Sequence, residues 1–275
     1  MRKIVVSFGG VSYDSTLRRI AEDAPRFGAD EVWIYDEPWL MAQPFYRDHK
    51  YMWDHPGHRG QKIGFGWYAF KAFTILHAMK HMAAGDLKHP EEGDVICWLD
   101  GDCYPISDFS MLFDACVRER GFFCFAAEGC SDQQWVKRDV WEAVFPEALS
   151  PSLGCPMEQW QHATARFMLF QKGRAGVSTF LESWQKFNVQ KWLATRDPSI
   201  GGPEFPGFEE NRGDQSIFSL LTHQYGLPLH READAFGNNS DRDRDLYPNQ
   251  LFEQVYCQGN RADLSGSKYR RGPGI

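Results

Sequence analysis

Val95-Ile96-Cys97-Trp98-Leu99-Asp100-Gly101-Asp102-Cys103 is the stretch on which the fold turns. Its five leading apolar residues form an unbroken run bounded by turn-forming residues. That pattern reads as a strand buried on both faces, the kind found in parallel sheets covered by helices. The run delivers two carboxylates, two positions apart, to its C-terminal end. Ligand sites in open α/β sheets lie at that edge. A tight turn at Gly101 lets both side chains converge on one hard cation, which wants oxygen ligands. The plain alternative is an Asp-Gly turn after a strand, since two aspartates at this spacing are common.

Outward from this stretch, strand and helix patterns alternate. Ile4 to Phe8 and Glu31 to Tyr35 read as strands, with a helix from Ser15 to Phe27 capped by Asp14 between them. Trp39 to Gly66 is rich in aromatics, His, Pro and Gly and reads as a long irregular surface or lid segment. Trp67 to Ala84 is the clearest helix, with Gly85 to end it. Asp108 caps a helix to Arg120, and Phe122 to Ala127 is a fourth strand. The second half is less regular: helical over Lys137 to Phe145 and Ala175 to Trp192, strand-like over Arg166 to Gln171, a Gly/Pro-rich loop over Pro198 to Gly213, then a helix from Asp214 to Tyr225. The expected fold class is α/β: one domain over residues 1–275, a mostly parallel twisted sheet flanked by helices, with an irregular C-terminal part.

Composition sets bounds on function. At 275 residues and 43% hydrophobic, the chain is long and apolar enough to bury a core without staples. A net charge of −7 argues against a nucleic-acid partner, which needs a basic face, but leaves room for a local basic pocket. The longest apolar runs fall far short of the roughly 20 residues of a membrane span, so no integral membrane segment is expected. Nor does the start resemble a signal peptide. Seven cysteines, odd in number and without a C-x-x-C pair, suit buried reduced thiols in the cytoplasm, free or peripheral to the inner membrane face. His55-Pro56-Gly57-His58 lacks further ligand spacing for zinc and reads as a flexible loop, and Lys268, Arg270 and Arg271 read as a solvated tail.

Four segments occur in one order: Lys62 to Lys71, Asp94 to Cys103, Gln134-Trp135-Val136-Lys137-Arg138-Asp139-Val140, and Arg212-Gly213-Asp214-Gln215-Ser216 running into Leu221. Over roughly residues 3 to 230 this resembles GT-A-type glycosyltransferases. Their pattern has a glycine/aromatic stretch ending in W-K-P, a strand ending in D-x-D or D-A-G, a W-x-K-x-D element, and H-R-x-D-Q-S opening a late helix. The chain departs from it in three places. Phe70-Lys71-Ala72 stands for W-K-P, Asn211-Arg212-Gly213 replaces the histidine-containing lead, and Gln258-Gly259-Asn260-Arg261 lies where a late histidine is usual. Asp102, conversely, supplies the second acid that D-A-G relatives lack.

The resemblance implies a GT-A-like domain with a nucleotide-binding half over 1–130 and an acceptor and donor-sugar half over 131–275. It implies a metal-dependent transfer of sugar from a nucleotide-diphosphate donor, most simply a UDP-sugar, to a glycan, lipid-linked glycan or protein acceptor. The nucleotide would lie near Ser7, Phe8, Gly9 and Tyr13, with Asp36 as a base or ribose contact. Asp100 and Asp102 would hold Mn2+ or Mg2+ against the diphosphate, with His230 as a third ligand. Lys71 would reach the phosphates or donor sugar, although a single lysine on an amphipathic helix is ordinarily solvated. Asp214 and Gln215 would contact the donor sugar, while a cap-only role would occupy Asp214 without any substrate. Two other functions compete. One is a catalytically silent sugar- or nucleotide-binding protein. The other is a sugar nucleotidyltransferase, disfavoured because the Gly9 to Arg18 stretch lacks a basic glycine-rich loop.

Overall fold

The computed structural model describes residues 1–55, 65–80, 93–150, 159–233 and 255–258. In chain order the elements are β1 (Lys3–Gly9), α1 (Asp14–Arg26), β2 (Glu31–Asp36), α2 (Glu37–Ala42), α3 (Pro44–Asp48), α4 (Lys50–Trp53) and α5 (Phe70–Lys80). There follow β3 (Val95–Leu99), β4 (Cys103–Pro105), α6 (Ser110–Arg118), β5 (Phe122–Ser131), α7 (Asp132–Trp135), α8 (Arg138–Val144) and β6 (Gln161–Gln171). The last are α9 (Val177–Asn188), α10 (Lys191–Ala194), α11 (Asp214–Gln224), β7 (Leu229–His230) and β8 (Tyr256–Gln258).

The main sheet has the order β2-β1-β3-β6-β5-β7. β1 pairs in parallel with β2 and β3, β6 pairs antiparallel with β3 and β5, and β7 is parallel to β5. Five strands therefore run one way and β6 alone runs the other, so the sheet is mixed but mostly parallel. Every residue of β3 is buried. Val95, Cys97 and Leu99 pack with α1 and α6, while Ile96 and Trp98 pack with α5 and its neighbours. Helices on both faces are what a strand with no polar side demands.

Element limits differ from the sequence reading for identifiable reasons. The region 39–66, expected as a surface or lid segment, holds most of α2 and all of α3 and α4, with Pro38 and Pro44 in the first turns of α2 and α3. Leu40, Phe45, Met52 and Trp53 are buried in the core, so Phe45 and Trp53 are packing groups. α5 starts at Phe70 because Gly66, Trp67 and Tyr68 have left-handed backbones, φ 58, 56 and 60°. β6 starts five residues earlier than its apolar run, since His162 and Thr164 are buried polar residues that break the pattern. α1 begins at Asp14, with Tyr13 in the cap position, so Asp14 complements the helix dipole. Asp108 does accept a hydrogen bond, from the Ser110 backbone N–H at 2.7 Å, at the entry to α6. Among the described residues no helix is long and apolar enough to cross a membrane. The cysteines Cys97, Cys103, Cys116 and Cys124 are buried free thiols, as expected. Gly85, His58, Gln258's successors Gly259 to Arg261 and the basic tail lie outside the described residues.

Candidate active site

The turn Asp100-Gly101-Asp102 lies against the end of β1. A Cβ at Gly101 would collide with the Phe8 carbonyl oxygen, so only glycine lets the two chain segments approach this closely. The Cys103 N–H donates to the Asp100 carbonyl at 2.8 Å and β4 then pairs with β8, which closes the turn. Trp98, two positions before Asp100 and on the same face of β3, donates its Nε1–H to Asp100 Oδ1 at 2.7 Å. The carboxylate is thereby aimed at α5.

Lys71 meets it there. The lysine is only 4% exposed, and its Nζ lies 3.0 Å from Asp100, 3.2 Å from Asp214 Oδ2 and 3.0 Å from the Ala165 carbonyl. The solvated reading of Lys71 is thus overturned: the side chain joins the end of β3 to the start of α11. Burial alone would lower its pKa, but Asp100 and Asp214 outweigh burial and hold the ammonium above its ordinary value. Burial raises the Asp100 carboxyl, opposed by Lys71 and reinforced by Asp102. Burial likewise pushes Asp214 up to about 6, against the pull of Lys71.

The cap position of α11 belongs to Gly213, with φ 61 and ψ −118°, and Asp214 is the first helical residue. A Cβ at Gly213 would sit 2.7 Å from the Ala194 carbonyl oxygen. The cap-only reading of Asp214 gives way to an ion pair with Lys71. Gln215 lines the cleft, and its Nε2 is buried without a hydrogen-bond partner among the described residues. Ser216 is structural: its hydroxyl donates to the Trp135 carbonyl at 2.5 Å and accepts from the Arg212 N–H at 2.9 Å. The Trp135-to-Asp139 element also serves the scaffold. Lys137 is buried with Nζ on the Asp197 carbonyl at 3.2 Å, and Asp139 accepts from the Ile200 and Gly201 N–H groups at 2.9 Å each. Together they clip the 198–213 loop beside the cleft.

Two lobes share Tyr68, Lys71, Asp100 and Asp102. The first runs over the end of β1, where Phe8, Gly9, Tyr13 and Glu37 line it and Phe8 stacks on Phe70 at 4.0 Å. The second, with room for about 380 Å³, opens toward α11 and holds Arg166, Arg196, Arg212, Asp214 and Gln215. No family model and no curated protein matches the chain. Solved structures to which the chain is similar include glycosyltransferases. Mouse xyloside xylosyltransferase 1 is 13% identical, with 94% of this chain and 98% of that one covered and a TM-score of 0.44. The galactosyltransferase LgtC, in complex with donor and acceptor sugar analogues, is 11% identical over 93% of this chain and 86% of its own, TM-score 0.41. GlyE of Streptococcus pneumoniae is 13% identical over 94% of this chain, TM-score 0.45, and the match spans 54% of its length.

Of the residues expected in the site, Phe8, Gly9, Tyr13, Lys71, Asp100, Asp102, Asp214 and Gln215 line one or both lobes. Three expectations need correction. Ser7 is fully buried on the face of β1 away from the cleft floor. Asp36 caps α2, its Oδ1 accepting the Trp39 N–H at 2.7 Å, and the next residue, Glu37, lines the lobe instead. His230 lies on β7, three strands from β3, stacked on Phe123 at 3.9 Å with Nε2 2.6 Å from Glu119, so it is not assembled with Asp100 and Asp102. His55, read as part of a flexible loop, is buried with Nε2 3.1 Å from Asp197. Sequence reading missed Trp67, Tyr68, Arg166 and Arg196. Only the glycine before Trp67 hinted at an unusual backbone there, and the arginines carried no pattern.

Asp100 and Asp102 suit a divalent cation by the charge of the floor. Three carboxylates, Asp100, Asp102 and Asp214, face one ammonium, Lys71, and leave the floor two formal charges negative. Asp102 raises the Asp100 carboxyl, so the two acids stand close enough to repel. Their oxygens are the hard ligands that Mg2+ or Mn2+ takes, and one or two carboxylates plus substrate phosphates is a usual set for magnesium.

Proposed function

We propose that the chain is a glycosyltransferase that takes a sugar from a nucleotide-diphosphate donor, with Asp100 and Asp102 holding Mg2+ or Mn2+. The observation that carries this reading is the Asp100–Lys71–Asp214 bridge, with the unpaired Gln215 amide beside it. An acidic floor repels a bare diphosphate, so a donor of that class needs a cation between the two. When bound, the cation supplies positive charge against the diphosphate as it leaves.

The protein's own groups do the rest. Trp98 and Lys71 fix the Asp100 carboxylate from two sides. Lys71 also holds the Asp214 carboxylate at the head of α11, within the lobe that would take the donor sugar. The Gln215 Nε2–H has no internal acceptor, which a sugar hydroxyl would provide. The aromatic first lobe suits a base, with uracil the simplest choice and hence UDP-sugar the donor. Residues 1–130 would then carry the nucleotide and 131–275 the donor sugar and acceptor, a glycan, lipid-linked glycan or protein. Its buried free thiols suit a reducing compartment, and we place the protein in the cytoplasm.

The test is a thermal-shift screen of nucleotides and sugar nucleotides with and without manganese, followed by donor hydrolysis. A ligand that binds the native state raises the melting temperature by mass action. UDP-sugars with manganese should do so and be hydrolysed slowly. Binding without any turnover in the presence of candidate acceptors would instead favour a silent sugar-nucleotide-binding protein.

A further inference from the structure

The second lobe has a wall that the donor reading does not use. Arg166 from β6, Arg196 beyond α10 and Arg212 before α11 line it, with Glu210 the one acid outside the floor. Two of the guanidiniums are balanced: Arg166 Nη2 lies 3.0 Å from Glu232, and Arg196 Nη1 lies 2.6 Å from Glu210. Arg212 is held differently. Its guanidinium lies over the Trp135 ring at 3.9 Å, and its backbone N–H is tied to the Ser216 hydroxyl and the Trp135 carbonyl. Among the described residues no carboxylate is ion-paired with it. A stacked guanidinium keeps its in-plane donors for a ligand, in a fork that matches a carboxylate or phosphate.

Arg212 and Arg166 also converge. Burial pushes the Cys130 thiol up; both arginines oppose it, Arg212 the more strongly, while Glu232, the partner of Arg166, adds to it. The lobe is thus lined by Asp100, Asp102 and Asp214 with Lys71 and by three arginines, of which Arg212 has no carboxylate partner among the described residues. With Arg166 and Arg196 each balanced by a glutamate, the Arg212 guanidinium is the cation of this wall left for an anionic group, and a neutral sugar has no charge to offer it.

We propose that the second lobe takes a co-substrate bearing an anionic group, carboxylate or phosphate, with Arg212 as its principal contact and Arg166 and Arg196 beside it. On the glycosyltransferase reading, on which this rests for its role, that co-substrate is the acceptor: an acidic glycan or a phosphorylated sugar or lipid.

The test compares three probes by calorimetry, D-glucuronate, D-glucose 6-phosphate and D-glucose, each with and without saturating UDP and manganese. At least one charged sugar should bind tenfold or more tightly than glucose, with the preference shrinking as salt rises. Glucuronate against glucose 6-phosphate separates the carboxylate source from the phosphate source. Arg212→Gln should abolish the preference, Arg212→Lys should keep part of it, and melting temperatures without ligand report whether each variant folds. Should Arg212→Gln not fold, Arg196→Gln should still reduce the preference. Equal binding of charged and neutral sugars, or a preference untouched in the folded variants, overturns the proposal. Failure of UDP to bind would strike the donor reading alone, because the sugars are also compared without it.

Discussion

Lys71 sits between two buried carboxylates, and either of them would suffice to neutralise it. Removing the ammonium leaves both acids buried without their counter-charge. Breaking a buried pair from one side costs about 3–5 kcal/mol. Lys71→Met should therefore lower stability by about that much, measured by urea melts, and by more at pH 8 than at pH 5. The pH dependence comes from Asp214. Its carboxyl is raised to about 6 in the folded protein, above the ordinary value near 3.9 in the unfolded chain. Between those values the native state holds a proton that the unfolded state has released, so stability falls as pH rises through this window. Asp214→Asn should flatten that limb of the wild-type pH–stability curve. An unchanged slope would mean that the carboxyl titrates normally. Gln215→Ala, by contrast, should keep the melting temperature and lower turnover, since no internal partner is lost. Asp100 and Asp102 were legible from spacing alone, because a buried strand can end on two acids only where a turn brings them out. The partnership of Lys71 with Asp214 was not: 143 positions separate them in the chain, and helix periodicity says nothing about what a lysine touches.

Among the elements, α11 carries the most. Its first residue enters the site, while Ser219 and His223 farther along join a buried network around Asp132. Asp132 Oδ1 receives His162 Nδ1 at 2.6 Å and the Ser219 hydroxyl at 2.7 Å, and His223 Nε2 lies 3.1 Å from Oδ2. Burial raises the Asp132 carboxyl, but the two histidines more than reverse this and hold it below its ordinary value. His223 is held above its own, burial notwithstanding, by Asp132. The aspartate's contribution is present above its unfolded value and lost as pH falls through the lower folded one. The histidine's is present below about pH 6.5 and lost as pH rises through its raised folded value. Asp132→Asn should accordingly destabilise the fold most between those limits, by about 3–5 kcal/mol, and chemical denaturation across pH would show it. Gly213→Ala tests the entry to the same helix. Its left-handed backbone and the 2.7 Å approach of the Ala194 oxygen leave no room for a methyl group. A loss of about 1–3 kcal/mol is expected, read as a lower melting temperature. Strand–helix alternation was readable wherever elements were apolar throughout. It found β6 from Arg166 to Gln171 but missed its start, where His162 and Thr164 are buried polar residues, and it failed for α2 to α4, where aromatics pack in short helices.

At the scale of the whole molecule, the net charge of −7 and an acidic cleft floor oppose the binding of a diphosphate. The mostly parallel sheet places that floor at the carboxyl end of its central strand β3 and brings β1, α5 and α11 to one edge. A divalent cation on Asp100 and Asp102 would turn this repulsion into binding. Asp102→Asn keeps the shape of the side chain and removes one charge, so without metal the variant should melt at or slightly above the wild-type temperature. Its turnover should fall by about two to three orders of magnitude, the rate equivalent of about 3–4 kcal/mol. The most direct measurement is calorimetry of UDP binding to wild type and Asp102→Asn, each in manganese and in EDTA. The wild type should bind UDP at least tenfold more tightly with manganese, and Asp102→Asn should lose that difference. Equal wild-type affinity in both conditions, or a manganese effect that survives in the variant, would contradict the account.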